Sequence, residues 1–377
     1  MLRMRFFIPP PLFIFLIAST VGICGVSEVE LFHQWDRDQD NLLIRSELPP
    51  SIQKNFNRVD VNQDKTISLK EHLHFLSKKT KDSKSNNDSE GANRSILLDI
   101  PYASSKNPRQ KLDLILPKDR DTKKTIPLVV WIHGGGWRNG DKKTGHSPNR
   151  IPALVKTGRF AGATIGYRLS GEAIWPAQIH DCKAAIRWLR ANAAKFGYDP
   201  NQIAVWGSSA GGHLVSMLGT TGNNKKLEGT VGNHLEQSSN VQAVVNYYGP
   251  SALLQMNDQP SKIDHNAPDS PESQLMGCPI QDSKSKAKQA SPIFHVSAGN
   301  PPIIHFHGTD DPLVPFHQSK LFHQALKKKG VPSTLITLQG GGHSMPGTFT
   351  QSKVIPFLDS ILHQKGTPPT DQKVKLK

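Results

Sequence analysis

Three stretches of the chain, and a fourth near its end, carry the residue types of acyl-transfer chemistry. In "IAVWGSSAGGHL" (203–214) a β-branched and aromatic run leads through Gly207-Ser208-Ser209-Ala210-Gly211 into an apolar helical pattern. Gly-x-Ser-x-Gly between a strand and a helix is the spacing of a nucleophile elbow: small flanking residues permit a sharp turn that leaves the middle hydroxyl exposed. The template fits Ser209, whereas Ser208 occupies its variable position. "HGGGW" (133–137) follows a continuous apolar run, and its glycines allow backbone N–H groups to approach an oxyanion. A hydroxyl nucleophile also needs a base, and the base an orienting carboxylate. "HGTDDPLVP" (307–315) offers Asp310 and Asp311, and "GGGHS" (340–344) offers His343. Of the 16 histidines, His343 is singled out by its loop after the last strand-like run.

A second chemistry lies near the N-terminus. "DRDQDNLLIRSE" (36–47) puts Asp36, Asp38 and Asp40 at positions 1, 3 and 5 of a twelve-residue loop, with Glu47 at position 12. "DVNQDKTISLKE" (60–71) repeats the template with Asp60, Asn62, Asp64 and Glu71, and Leu42 and Thr66 would add backbone carbonyls. Calcium takes six to eight hard oxygens, which alternating side chains of a tight loop can converge. These loops resemble paired EF-hands, with departures. Position 6, usually glycine, is Asn41 and Lys65, and position 9 of the first loop is Ile44. Lysine in a left-handed conformation costs about 1 kcal/mol, so weak sites with constants of about 10⁻⁴ to 10⁻³ M are expected.

The elements needed to hold the first group in place recur from about residue 96. "IPLVVWIHG" (126–134), "AGATIGYRL" (161–169), "IAVWG" (203–207), "VQAVVNYYG" (241–249), "PPIIHFHG" (301–308) and "STLITLQG" (333–340) read as strands, the first of them buried on both faces. Helical patterns at 176–197, 210–221 and 317–330 alternate with them, which predicts a mostly parallel sheet covered on both sides. "LDLILP" (112–117) alternates as an edge hairpin strand would, and the polar intervals 222–240 and 251–298 are candidates for a substrate-shaping cap. The expected organisation is a leader (1–25), an EF-hand pair (28–76), a flexible linker (77–95), an α/β catalytic domain (96–365) and a disordered basic tail (366–377).

Residues 96–365 resemble an α/β-hydrolase-fold esterase. Within that fold they are similar to the group related to bifunctional feruloyl and acetyl-xylan esterases, and more distantly to hormone-sensitive-lipase-like esterases. The matching pieces are "HGGGW", "YRL" (167–169), "PAQIHDCKAAIRWLR" (176–190), "GSSAGGHL", "HGTDDPLVP" and "GGGHS". The resemblance implies a Ser209–His343–Asp311 triad, because the family pattern Gly-x-x-Asp-x-x-Val-Pro falls on Gly308, Asp311, Val314 and Pro315 and so selects Asp311 over Asp310. It also implies oxyanion donors at Gly135, Gly136 and Ala210. The expected function is a serine carboxylic-ester hydrolase acting on a small-molecule or polysaccharide ester, with no cofactor for catalysis. Two alternatives are a peptidase of related fold, disfavoured because no propeller-sized domain is present, and a calcium-dependent binding protein, for which an intact triad has no use.

Composition narrows the classes further. The chain has 377 residues, 46 Lys+Arg against 31 Asp+Glu, and a net charge of +15. Much of the surplus sits in flexible-looking runs such as "SKKTKDSK" (77–84), and no zinc spacing, RNA-binding signature or basic helix accompanies it, so no nucleic-acid partner is expected. Arg3 and Arg5 precede an apolar run (12–23) too short to span a bilayer, which reads as a secretory signal and predicts a secreted or periplasmic protein. An uncleaved anchor and a lipoprotein site at Cys24 are the alternatives. Cys182 and Cys278 allow one disulfide.

Overall fold

The computed structural model describes residues 28–38, 40–53, 55–75, 94–118, 121 and 124–375. The expected leader, including Cys24, and residues 77–93 of the expected linker lie outside the described residues. The chain divides into two units, within 1–92 and 93–377.

In the smaller unit a helix, Glu28–Trp35, leads into the first acidic loop. Strand β1 (Leu42–Leu43) pairs antiparallel with β2 (Ile67–Ser68), which ties the two loops together back to back. Phe32, Leu43, Leu48, Phe56, Val59 and Ile67 bury the space between them. Asn41 and Lys65, each at loop position 6, both adopt the left-handed conformation, with φ of 65° and 70°.

The larger unit is an α/β-hydrolase fold. Its strands are β3 (Arg94–Pro101), β4 (Lys111–Pro117), β5 (Ile126–Ile132), β6 (Ala161–Ile165), β7 (Tyr198–Ser208), β8 (Ala243–Tyr247), β9 (Ile303–Gly308), β10 (Ser333–Gln339) and β11 (Gln372–Lys375). Among the described residues they form one sheet in the order β11-β10-β9-β8-β7-β5-β6-β4-β3. Strands β5 to β11 run parallel, and β3 and β4 are antiparallel additions. Helices Ala177–Ala191, Ala210–Thr220 and His317–Lys328 contribute to one core layer, while Ile151–Val155 and Ile355–Leu362 contribute to the layer on the other face. Burial on both faces explains why the central strands read as unbroken apolar runs.

One expectation is met and one overturned. Strand β4 forms an antiparallel hairpin with β3 at the edge of the sheet, as its alternation predicts, although β3 covers it and six of its seven residues are buried. Its Asp113 is buried with Lys142 Nζ at 2.8 Å and His146 Nε2 at 2.8 Å. Burial opposes ionisation of this carboxyl, but His146, Lys142 and the Asp99 N–H outweigh it and lower its pKa to about 2. The basic tail is not disordered over 372–375, where β11 pairs in parallel with β10. Val374 packs against the core while Lys373 and Lys375 remain exposed, a charge pattern suited to an edge strand.

Candidate active site

Adjacent parallel strands deliver the first two motifs to one end of the sheet. In the β5–β7 register Trp131 lies opposite Trp206, and Ile132 opposite Gly207, so "HGGG" and the Ser209 turn emerge side by side. The chain leaves β5 for one side of the sheet and β7 for the other, the topological position at which α/β sheets bind ligands.

Ser209 sits at φ 55°, ψ −123°, a strained conformation that costs on the order of 1–3 kcal/mol. Its N–H donates to Tyr247 O at 2.9 Å, and its own carbonyl accepts from His213 N at 2.9 Å, so the turn is held on both sides. Gly211 is required by close approach: a Cβ there would meet Ile132 O at 2.1 Å. Ala210 begins the helix Ala210–Thr220, whose first N–H groups lack intrahelical partners and carry the positive end of the helix dipole. Trp137 (φ 55°) and Tyr248 (φ 41°) are two further non-glycine residues in the left-handed region. All three line the same cavity, so backbone strain gathers around it.

That cavity has a volume of about 550 Å³. Gly135, Gly136, Ser209, Ala210 and His343 all line it. Gly135 (φ 110°) and Gly136 (φ 57°) turn the loop so that Gly135 O accepts from Arg138 N and Asn139 N. Among the described residues neither Gly135 nor Gly136 N–H donates to a backbone carbonyl. The loop is anchored by His133, which stacks on Tyr167 at 4.2 Å and whose Nδ1 is 2.8 Å from Gly134 O. Burial pushes the His133 imidazole down to about 4, against the hydrogen bond to Gly134, so it is neutral at pH 7.

Asp311 and Asp310 part company. His343 Nδ1 is 2.6 Å from Asp311 Oδ2, while Asp311 Oδ1 accepts from Leu313 N and Val314 N at 2.9 Å each. Burial acts to raise the Asp311 pKa, but His307 and His343 overcome it and hold the carboxyl well below the usual carboxylate range. Asp310 is exposed, and its carboxylate accepts from the neighbouring Thr309 hydroxyl at 2.8 Å. The Tyr248 ring lies 4.3 Å from that of His343 and limits its swing.

Two supporting histidines escaped the sequence reading. The fully buried His307, at the end of β9, brings Nε2 to 3.3 Å from Asp311 Oδ2 and 2.8 Å from Val314 O, while its Nδ1 is 2.7 Å from Ser319 Oγ. His213, in the helix after Ser209, accepts at Nδ1 from Trp137 Nε1 at 3.1 Å and presents Nε2 to Ala290 O at 2.6 Å. That pattern fixes the neutral Nε2–H tautomer, and burial lowers its pKa to about 4. It joins the glycine loop, the Ser209 helix and the 251–298 interval. The His in "HGTDD" and the His after "SAGG" were the available signals.

The 251–298 interval supplies Ile263, His265, Pro271 and Glu272 to the cavity wall. The other interval, 222–240, does not reach the cavity; its Glu228 instead pairs with the buried Lys183 and Arg187. Cys182 and Cys278 are both free thiols.

In the smaller unit Asp36, Asp38 and Asp40 bring one oxygen each within 4.8 Å of one another. Asp36 Oδ2 accepts from Asn41 N and Asp60 Oδ2 from Lys65 N, whereas the buried Oδ1 of each has no hydrogen-bond partner. Two orphaned carboxylate oxygens at position 1 of both loops fit a hard cation. Glu47 Oε1 and Oε2 accept from Arg37 N and Ile44 N, and Glu71 accepts from Val61 N and Ser68 N, which holds each position-12 carboxylate over its loop. Asn62 Nδ2 donates to Asp64 Oδ2, and Asp40 Oδ1 and Asp64 Oδ1 accept from the Leu42 and Thr66 N–H groups.

A family model described as BD-FAE matches residues 112–326. The probable carboxylic ester hydrolase LipM of Mycobacterium tuberculosis is 32% identical over 219 residues, covering 58% of this chain and 48% of that protein. Esterase LipC of the same organism is 32% identical over 243 residues, covering 63% and 57%. This chain thus spans about half the length of these curated relatives. A solved structure titled as a truncated carbohydrate esterase from gut microbiota superposes with a TM-score of 0.62 at 36% identity, covering 68% of this chain and 90% of that one. Est2 of the planctomycete Thermogutta terrifontis, a thermophilic esterase, gives a TM-score of 0.58 at 27% identity, covering 73% and 96%.

Proposed function

The chain belongs to the BD-FAE family, and from that premise we propose that it is a secreted serine hydrolase of carboxylic esters, acting on acyl groups carried by carbohydrate. The observation that carries this reading is the 2.6 Å contact between His343 and Asp311 at the cavity that Ser209 lines. Ser209 Oγ attacks the ester carbonyl while His343 removes its proton. The tetrahedral oxyanion is received by the N–H groups of Gly135, Gly136 and Ala210. His343 then protonates the departing alcohol, and water, deprotonated by the same imidazole, releases the acid and restores Ser209. Asp311 keeps the imidazole oriented and balances its charge. The carbohydrate esterase among the structural neighbours supports the substrate class. Among the described residues no helix is long and apolar enough to cross a membrane.

The smaller unit we read as an EF-hand pair. Asp36, Asp38, Asp40, Glu47 and the Leu42 carbonyl would hold one calcium ion, and Asp60, Asn62, Asp64, Glu71 and the Thr66 carbonyl a second. Calcium there would neutralise the clustered carboxylates and stiffen the loops.

The test is a hydrolysis panel of acetyl, butyryl, long-acyl and feruloyl esters, on sugar and on simple alcohols, run with calcium and with chelator. Turnover of short-acyl or feruloyl sugar esters supports the proposal. Failure to cleave any ester overturns it.

A further inference from the structure

The catalytic cavity holds more cationic charge than its own residues balance. Arg138 and Arg150 line it, and the one carboxylate among its lining residues, Glu272, lies 3.0 Å from His265 Nδ1. Among the described residues the ion-paired arginines are Arg109, Arg159, Arg168 and Arg187; neither Arg138 nor Arg150 has an acidic partner.

Arg150 is held without being neutralised. Its guanidinium lies 4.3 Å over the Trp131 ring, and Nη1 donates to Thr144 O. The stack and the single tether fix the plane of the group while leaving further N–H donors unassigned. Burial lowers its pKa, and the only opposing influences are the phenols of Tyr248 and Tyr247, not a carboxylate. A partly buried charge without a counter-ion is costly, and such cost persists where function supplies the missing partner.

We propose that this cavity accepts esters that themselves carry a carboxylate, and that Arg150 is the group that receives it. This rests on the ester-hydrolase reading above. A planar guanidinium matches a carboxylate through two parallel N–H···O bonds, which gives orientation as well as attraction. Arg138, exposed on the glycine loop, adds a second cation at the same cavity. The carboxylate can belong to the alcohol side, as in an acetylated uronic acid, or to the acyl side, as in a dicarboxylic half-ester.

Matched pairs separate the two sources. One arm compares an O-acetyl galacturonide with the corresponding O-acetyl galactoside; the other compares a succinate half-ester with the butyrate of the same alcohol. In at least one arm the anionic-to-neutral ratio of kcat/KM is expected to be about tenfold or more, shrinking with added salt. Arg150→Met, which keeps an apolar stem on Trp131, should bring that ratio to about one, with Arg150→Lys between. A wild-type ratio at or below one in both arms overturns the proposal, as does an unchanged ratio in Arg150→Met. Equal loss on anionic and neutral esters would assign Arg150 to structure or to the oxyanion and also overturn it. Absence of turnover on every ester would instead defeat the ester-hydrolase reading. Should Arg150→Met not fold, the wild-type ratio decides, together with inhibition of neutral-ester turnover by free galacturonate or succinate but not by galactose or succinamide.

Discussion

His343 Nδ1 and Asp311 Oδ2 stand 2.6 Å apart, and the other oxygen of that carboxylate is taken up by two backbone N–H groups of its own loop. The carboxylate cannot rotate without losing those bonds, so the imidazole tautomer is set with Nε2 free for a hydroxyl. Asp311 also meets His307, which is locked between Ser319 and Val314. The orienting group is therefore itself oriented, from β9 on one side and the 313–314 turn on the other.

Replacing Asp311 with Asn should lower kcat by about 10³–10⁴, because the amide favours the wrong imidazole tautomer. Asp310→Asn should stay within about threefold of wild type, since its carboxylate meets solvent and the Thr309 hydroxyl. Steady-state kinetics on one good ester checks both; a larger loss in Asp310→Asn would reverse the assignment.

Gly135→Ala places a Cβ 2.3 Å from Asn139 O at a backbone φ of 110°. The glycine loop must shift, and its N–H groups with it. A loss of about 10²–10³ in kcat at nearly constant KM is expected, the signature of an oxyanion donor displaced from the transition state. A change confined to KM would count against that role.

Stability should fall on mild acidification. Burial holds His133 and His213 at about 4 and His305 at about 3, all below the ordinary 6.5. As pH drops through 6.5 the unfolded chain takes up protons that the folded one refuses. Each such group then removes about 1.4 kcal/mol per pH unit until its folded pKa is reached. Melting temperature should decline by roughly 5–15 °C between pH 7 and pH 5, and a flat profile over that window would contradict the assignment of these three as neutral core groups.

Lys65 holds a left-handed conformation at φ 70°, beside an Asp60 oxygen with no partner. Lys65→Gly should relieve about 1 kcal/mol of strain in the folded loop and raise the melting temperature of the smaller unit by a few degrees, read by calorimetry on the full chain. Asn41→Gly, at the tolerant residue type, should gain less. Equal melting temperatures in Lys65→Gly and wild type would remove the strain account.

The parts of this molecule that were readable from residues alone are those set by local rules. The runs over β5, β7 and β9 announce doubly buried parallel strands because both faces must be apolar, and Gly207 to Gly211 announces a sharp turn because only small residues permit one. What could not be read depends on pairings between distant segments. The burial of Asp113 is one: its partners Lys142 and His146 lie some thirty positions away. Residues 372–375 looked like a free basic tail because nothing local says that the edge of β10 is open to them. His213 gave no sign that it would meet both Trp137 and Ala290, 76 and 77 residues distant. Arg150 was likewise unremarkable until Trp131 and the cavity came together around it.

The central claim is that one serine, Ser209, is the nucleophile. Wild type, Ser208→Ala and Ser209→Ala would be treated with a fluorophosphonate, the intact masses and modified peptides measured, and ester hydrolysis followed in parallel. A single adduct on Ser209 is predicted in wild type and in Ser208→Ala, with none in Ser209→Ala and a fall in kcat of about 10⁴–10⁶ in that variant. Labelling at another residue, or undiminished hydrolysis by Ser209→Ala, would contradict it.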